Sequence, residues 1–433
     1  MKHPINNLLL LLTVALLSFN FGRGQVSITS DKLDGIYEIG ETALWTLDLA
    51  PDITIDSIGY TLKRGGLTIL KKGFLYPQHK KATISHHFNE PGAILLDIRW
   101  KDKNSEEHKI VGGAIASPEK ITLSENRPAD FDSFWANQIE NLKKIPKNTK
   151  LNRESSGTVG VKYFKTTMDN INGTKIQGQL ARPSKGKKFP ALLIVQWAGV
   201  YPLQKDWAIK RAKEGWLVLN INAHDLPIDK TASFYEEQSK GPLKNYPSIG
   251  NEDKNTSYFL RMYLSCYRAA QYLTERKDWN GETLVVMGTS QGGLQSIMTA
   301  GLHPQISASL ALVPAGFDMH GPKVGRKGGW PQWYGATQNK DAEKVRDASR
   351  YFDVANFVPR IECPVLVGIG LLDETCPPEG IYAGLNQLNS KKEIILLPLS
   401  EHQNKNNSQQ PYYDKAEKDW LHQLLKGDLP SLE

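Results

Sequence analysis

Hydrophobic and polar positions divide the chain into stretches with different periods. Residues 8–17 are apolar throughout except for Thr13. Between residues 25 and 120 the apolar positions come in short runs without a helical period, at 43–49, 57–62 and 93–100. Turn formers separate these runs, among them Gly65-Gly66 and Asn89-Glu90-Pro91-Gly92. Short strands with turn signals between them predict an immunoglobulin-like β-sandwich; the competing reading is an elaborated edge sheet of the domain that follows. Beyond residue 120 the period changes. Residues 130–144 read as an amphipathic helix with Phe131, Phe134, Trp135, Ile139 and Leu142 on one side. Strand-like runs at 191–195, 216–221, 283–287 and 308–313 then alternate with helix-like runs at 205–214 and 257–276. That alternation predicts an α/β fold, a doubly wound and mostly parallel sheet with helices on both faces. Residues 225–255 are polar and rich in Gly, Pro and Lys, and read as a long loop, either functional or disordered.

The first segment changes the picture of where the protein works. Lys2, the apolar run and the small residues of Gly22-Arg23-Gly24 make residues 1–24 a secretory signal peptide, with an uncleaved anchor as the alternative. The run is short for a bilayer span. The expected location is therefore periplasmic or extracellular, with no membrane insertion after cleavage. The remaining residues suit two domains, 25–120 and 121–433. Three cysteines, Cys266, Cys363 and Cys376, are too few for a disulfide framework, and an odd number leaves at least one thiol unpaired. A large core must hold this fold. The sequence has no C-x-x-C or H-E-x-x-H spacing, so neither a metal site nor a cofactor is expected. The net charge of +7 is spread over Lys-rich segments such as 185–188 without a basic–aromatic repeat. This argues against a nucleic-acid partner and leaves open a mild preference for anionic polymers.

The candidate chemistry centres on Ser290. It sits in Gly288-Thr289-Ser290-Gln291-Gly292-Gly293, after the apolar strand and before a helix-prone stretch. This is a G-x-S-x-G elbow, in which small neighbours permit the tight turn that presents the serine hydroxyl. Further along, 364–369 reads as a buried strand followed by Asp373, and 393–399 as another followed by His402. Ser290, Asp373 and His402 thus follow in nucleophile–acid–base order, each at the carboxyl end of a predicted strand. His402 is the base for Ser290, and Asp373 orients its imidazole, with Glu374 as an adjacent rival for the acid. An oxyanion would need two backbone donors, one from Gln291 and one from Ala198-Gly199-Val200. His224, also after a strand, is a candidate for substrate contact or support, or a loop residue without a role. Residues 317–334 hold Trp330, Trp333, Tyr334, His320 and Arg326. They read as a sugar-binding platform or as a packed cap.

These residues resemble carbohydrate esterase family seven, the acetyl xylan esterase and cephalosporin-C deacetylase family of the α/β-hydrolase superfamily, from about Arg127 to Lys426. "RPADFDSFWANQIENLKK" looks like its opening helix, "GTSQGG" matches its elbow, and "YFDVANFVPRIECPVLVGIGLLDETCPP" looks like the segment bearing its catalytic aspartate, here Asp373. His402 stands where the family has its catalytic histidine. The resemblance implies hydrolysis of acetyl esters on sugars through an acyl-enzyme. It also implies an acetylated oligosaccharide or polysaccharide as partner, a homo-oligomer, and Val200 as the second oxyanion donor. The family's arginine–glycine–glutamine motif falls on Asn222-Ala223-His224, its histidine–glycine–tyrosine segment on Ala198-Gly199-Val200, and the glutamate after its histidine on Gln403. The N-terminal β-region lies outside the part that matches. Two other readings stand beside this one: a serine peptidase related to the prolyl oligopeptidase family, and a catalytically silent carbohydrate-binding protein. Gln291 and the short β-region count against the first, and the complete Ser290, Asp373 and His402 set against the second.

Overall fold

The computed structural model describes residues 26–52, 55–335, 337 and 339–430; the expected signal peptide lies outside them. The N-terminal strands are β1 (Val26–Ser30), β2 (Ile36–Tyr37), β3 (Thr42–Leu49), β4 (Ile58–Arg64), β5 (Thr68–Leu75), β6 (Lys81–His87), β7 (Gly92–Lys101) and β8 (Glu107–Ala116). They form two sheets, β1-β3-β6 and β2-β8-β7-β4-β5. Period-2 alternation explains the packing: in β3, Ala43, Trp45, Leu47 and Leu49 point inward and alternate with more exposed residues. Trp45, Leu62, Leu96, Ile98 and Ala114 fill the space they share. The sequence showed β3, β4 and β7. The exposed β5 and the polar β6 carry little hydrophobic signal and were not legible.

The large sheet is built from β9 (Lys150–Glu154), β10 (Val161–Asp169), β11 (Lys175–Pro183), β12 (Phe189–Ile194), β13 (Leu217–Ile221), β14 (Trp279–Thr289), β15 (Ala308–Leu312), β16 (Val365–Gly370) and β17 (Lys392–Leu397), in the order 17-16-15-14-12-13-11-10-9. Strands β12 to β17 pair parallel, whereas β9, β10 and β11 add an antiparallel extension at one edge. The central strands are continuous apolar runs because helices cover both faces. On one side lie α1 (Phe131–Lys143), α4 (Tyr258–Thr274) and α5 (Gln291–Leu302), packed through residues such as Trp135, Tyr263 and Ile297. On the other lie α2 (Lys205–Glu214) and a C-terminal helical segment, α8 (Gln410–Asp414), a π-turn (Lys415–Trp420) and α9 (Leu421–Lys426), packed through Trp216, Tyr412 and Trp420. The chain places β13 on one side of β12 and β14 on the other. This makes the β12/β14 pair the switch point at which open α/β sheets form their crevice.

Residues 225–255 are more ordered than their composition suggests. They contain α3 (Ala232–Lys240) and a short 3-10 turn, Tyr246–Ser248, that buries Tyr246. Two further helices, α6 (Ala342–Ser349) and α7 (Pro378–Leu385), complete the cover. The N-terminal sheets pack against α7 and the Asp373 loop. Ala93 N–H donates to Glu379 of α7 at 3.0 Å, and Lys109 of β8 donates to Glu374 at 2.7 Å.

Candidate active site

Ser290 has φ 58° and ψ −117°, a left-handed backbone that side chains rarely adopt, at the junction of β14 and α5. The turn closes because its neighbours lack a Cβ. One added to Gly288 would lie 2.6 Å from the Gly292 backbone, and one on Gly292 would lie 2.7 Å from the Val195 carbonyl. The conformation is also held by hydrogen bonds, Ser290 N–H to Leu312 O and Ala315 N–H to Ser290 O.

Ser290 Oγ lies 2.9 Å from His402 Nε2, and His402 Nδ1 lies 2.7 Å from Asp373 Oδ2. The carboxylate has no exposed surface, and the imidazole retains 16 %. The other Asp373 oxygen accepts the backbone N–H groups of Thr375 and Cys376 at 2.7 and 2.8 Å. With that carboxylate fixed, Nδ1 carries the proton and Nε2 faces the serine as acceptor. Glu374 points away, paired with Lys109. The two adjacent acids are thus separated by direction.

On the opposite side of Ser290, residues 196–201 leave β12. Gln291 N–H is at the first position of α5, where no intrahelical acceptor exists. The buried Gln291 side chain accepts from the Tyr246 hydroxyl and donates to Gln196 O, which also receives Gln295 Nε2 at 2.8 Å. His224 is 1 % exposed, and its Nε2 donates to Gly199 O at 2.9 Å. Its Nδ1 accepts from the Tyr258 hydroxyl at 2.7 Å, which in turn receives Arg261. Burial holds His224 neutral, with its pKa lowered to about 4 against the pull of the Gly199 hydrogen bond. A trans peptide directs its N–H opposite to its C=O. By gripping Gly199 O, His224 therefore turns the Val200 N–H away from itself.

The cavity at Ser290 has a volume of about 460 Å³ and includes Trp197, Trp330, Thr375, His402 and Tyr413 in its wall. Of the proposed platform residues, only Trp330 reaches it. Trp333 is fully buried against Phe259 and Phe352, so it offers no face to a substrate. Tyr334 packs on His320 and Arg346, away from this wall. His224 touches the 196–201 loop and not the cavity. Nothing in the sequence separates the buried Trp333 from the half-buried Trp330 three residues before it.

Cys376 was not singled out from the sequence. Its thiol lies beside Ser290 and Asp373, and burial pushes its pKa well up, so it stays neutral. Its sulfur, a carboxylate oxygen of Asp373 and a ring nitrogen of His402 all lie within 4.8 Å of one another. A metal held there would take the His402 nitrogen or the Asp373 oxygen from the hydrogen-bonded chain. All three cysteines are buried and unpaired. Trp197 was also missed, although it directly precedes the Ala198-Gly199-Val200 segment.

Residues 119–423 match the family model for acetyl xylan esterase, AXE1. The acetyl esterase Axe7A of Xylanibacter ruminicola is 32 % identical over 317 residues, covering 72 % of this chain and 71 % of that protein. An acetyl xylan esterase from Paenibacillus sp. R4 superposes with a TM-score of 0.60 at 22 % identity, over 72 % of this chain and 98 % of that one. Acetyl xylan esterase 1 from a Thermoanaerobacterium species gives 0.59 at 19 % identity, over 71 % and 97 %. The two structures share the α/β-hydrolase fold. Together with the family match over most of the chain, these likenesses show that the chain belongs to the acetyl xylan esterase family and is a carboxylic ester hydrolase.

Proposed function

We propose that this protein removes acetyl groups from carbohydrate chains through an acyl-enzyme on Ser290. The observation that carries the reading is the unbroken chain from Asp373 to His402 to Ser290 at 2.7 and 2.9 Å. His402 Nε2 takes the Ser290 proton as Oγ attacks the acetyl carbonyl carbon. Asp373 keeps the proton on Nδ1 and stabilises the imidazolium. The developing oxyanion is met by the N–H groups of Gln291 and Val200. Collapse breaks the bond to the sugar oxygen, which leaves as a hydroxyl carrying the proton from Nε2. Water, deprotonated by the same nitrogen, then attacks the acetyl-enzyme and releases acetate.

The acetyl-ester reading draws on the family match and on Axe7A. We extend it to an exported enzyme on the strength of Lys2 and the apolar run that follows. Among the described residues no helix is long and apolar enough to cross a membrane. Residues 25–120 are assigned to an N-terminal β-domain, and 121–433 to the catalytic domain.

The test is a release assay across acetylated xylo-oligosaccharides, aryl acetates and prolyl peptides. The proposal expects acetate from the first two and no cleavage of the third. Peptide cleavage without acetate release would replace it with the peptidase reading, and no turnover of any substrate with the silent binding protein. Sequencing the N-terminus of protein recovered outside the cytoplasm tests export. A mature chain starting near residue 25 is expected, and a chain retained in the cytoplasm with Met1 intact would contradict it.

A further inference from the structure

A second cavity, of about 650 Å³, opens beside the Ser290 pocket between α2 and the C-terminal helical segment. The two cavities share Trp197, Thr289 and Tyr413 in their walls, so they adjoin each other beside the nucleophile. The apolar part of this second wall includes Ile194 and Met287, half-buried residues of β12 and β14. Two tryptophans, Trp197 and Trp207, stand in its wall. Trp197 is 43 % exposed, although it is a large apolar residue. Its ring stacks on Tyr201 at 5.1 Å and 22°, and the ring of Trp207 meets it at 5.1 Å and 64°. Tyr201 Oη also donates to Trp197 O at 2.8 Å, which ties the plate to its own loop. The rim is charged: Asp206 and Lys210 come from α2, and Glu417, 3.6 Å from Lys210, from the facing segment.

We propose that this cavity holds the sugar residues that flank the acetylated one, with Trp197 and Trp207 as the stacking surface. The inference rests on the carbohydrate deacetylase reading and specifies which part of the substrate goes where. A pyranose ring presents apolar C–H faces and a hydroxyl edge, and a rigid aromatic plate with charged groups at its rim complements both. An acyl chain would offer no hydrogen-bonding group to Asp206, Lys210 and Glu417, whereas sugar hydroxyls would. The volume lies within the range of small-molecule sites, and the wall includes Thr289, the residue before Ser290.

The test compares the full-length enzyme with its Trp207→Ala and Trp207→Phe variants. Substrates are an acetylated xylotetraose, an acetylated monosaccharide, 4-nitrophenyl acetate and 4-nitrophenyl octanoate. Trp207→Ala is expected to lower kcat/KM on the tetrasaccharide about tenfold, mostly through KM, with Phe restoring most of it. The monosaccharide and the aryl acetate should stay within about twofold, because neither reaches α2. Equal loss on all substrates, or none on the tetrasaccharide, overturns the proposal, and selective loss on the octanoate gives the cavity to the acyl chain instead. If Trp207→Ala does not fold, Lys210→Trp at the exposed rim should narrow the mouth and produce the same selective loss. The wild-type arm separates the two levels. Wild type that cleaves aryl acetate but no acetylated sugar refutes the deacetylase reading, whereas wild type that cleaves the tetrasaccharide as well as the variants do refutes only the cavity assignment.

Discussion

The acid–base side of Ser290 and its proposed oxyanion side use different means to fix their loops. Asp373 and His402 follow β16 and β17, and a single carboxylate holds the arrangement. One of its oxygens binds the imidazole and the other accepts two backbone N–H groups. The loop after β12 has no charged anchor of that kind. Neutral groups hold it from three directions: Gln291 and Gln295 on Gln196 O, and His224 on Gly199 O. His224 is itself braced by Tyr258 and Arg261. A hydrogen-bonded carboxylate is a short-range device that a local sequence motif can encode. A loop held by groups from β13, α4 and α5 depends on tertiary placement, and other residues can do the same job.

That difference makes the effects of substitution unequal, and the nucleophile sets the scale. Ser290→Ala should lower turnover by roughly 10⁴-fold or more with the fold intact, measured by acetate release and by an unchanged thermal melt. On the acid side, Asp373→Asn should cost up to about 10⁴-fold, since the imidazole loses its orientation and correct tautomer. Glu374→Gln should stay within a few-fold, because its partner is Lys109 of the N-terminal sheet. The reverse ranking in steady-state kinetics would move the acid to Glu374.

The oxyanion side should respond more gently. His224→Ala frees the Gly199 carbonyl and is expected to lower kcat by about 10²-fold, within the range of losing one oxyanion donor. His224→Gln, which can still donate to Gly199 O, should recover much of that loss with KM little changed. If Ala and Gln behave alike, the ring's hydrogen bond is not what positions the loop.

Two smaller effects concern stability. Trp333→Ala should destabilise the fold by about 3–5 kcal/mol by opening a cavity beside Phe259 and Phe352. Its KM on acetylated oligosaccharides should remain near the parent value. A raised KM with full stability would restore the tryptophan to the substrate path. The last effect is a pH dependence. Folded, His224 stays neutral down to about 4, chiefly because it is desolvated; unfolded, it protonates near 6.5. Between those values the unfolded chain binds more protons, so its contribution to stability is lost as the pH falls from about 6.5 to about 4. Denaturant unfolding at several pH values should therefore show a shallower acid-side decline for His224→Gln than for wild type. Parallel curves would mean that the histidine is already charged in the fold.

The same contrast explains what could be read from the chain. The parallel strands, the elbow and the order of Ser290, Asp373 and His402 leave local traces, because apolar runs end in Gly, Asp or His at strand ends. Strands β5 and β6 left none, since an edge strand with Lys71, Lys72 and exposed Ile69 and Phe74 has no buried face to mark. The aromatic residues were the least legible. Trp330 and Trp333 are three positions apart, yet one walls the cavity while the other packs against α4. Trp197, isolated in a short loop, carries the open surface that composition suggested for the richer segment. Periodicity reports burial only where an element is regular, and these tryptophans lie in turns and loops.

In the proposed mechanism, His402 activates Ser290 for covalent chemistry. Labelling with diethyl 4-nitrophenyl phosphate followed by peptide mass spectrometry tests it most directly, because the reagent reports the activated hydroxyl itself. A single diethylphosphoryl adduct is expected on Ser290, formed in step with loss of esterase activity, strongly slowed in His402→Ala and absent in Ser290→Ala. An adduct on a different residue that tracks inactivation, or labelling of Ser290 that is as fast without His402, would contradict it.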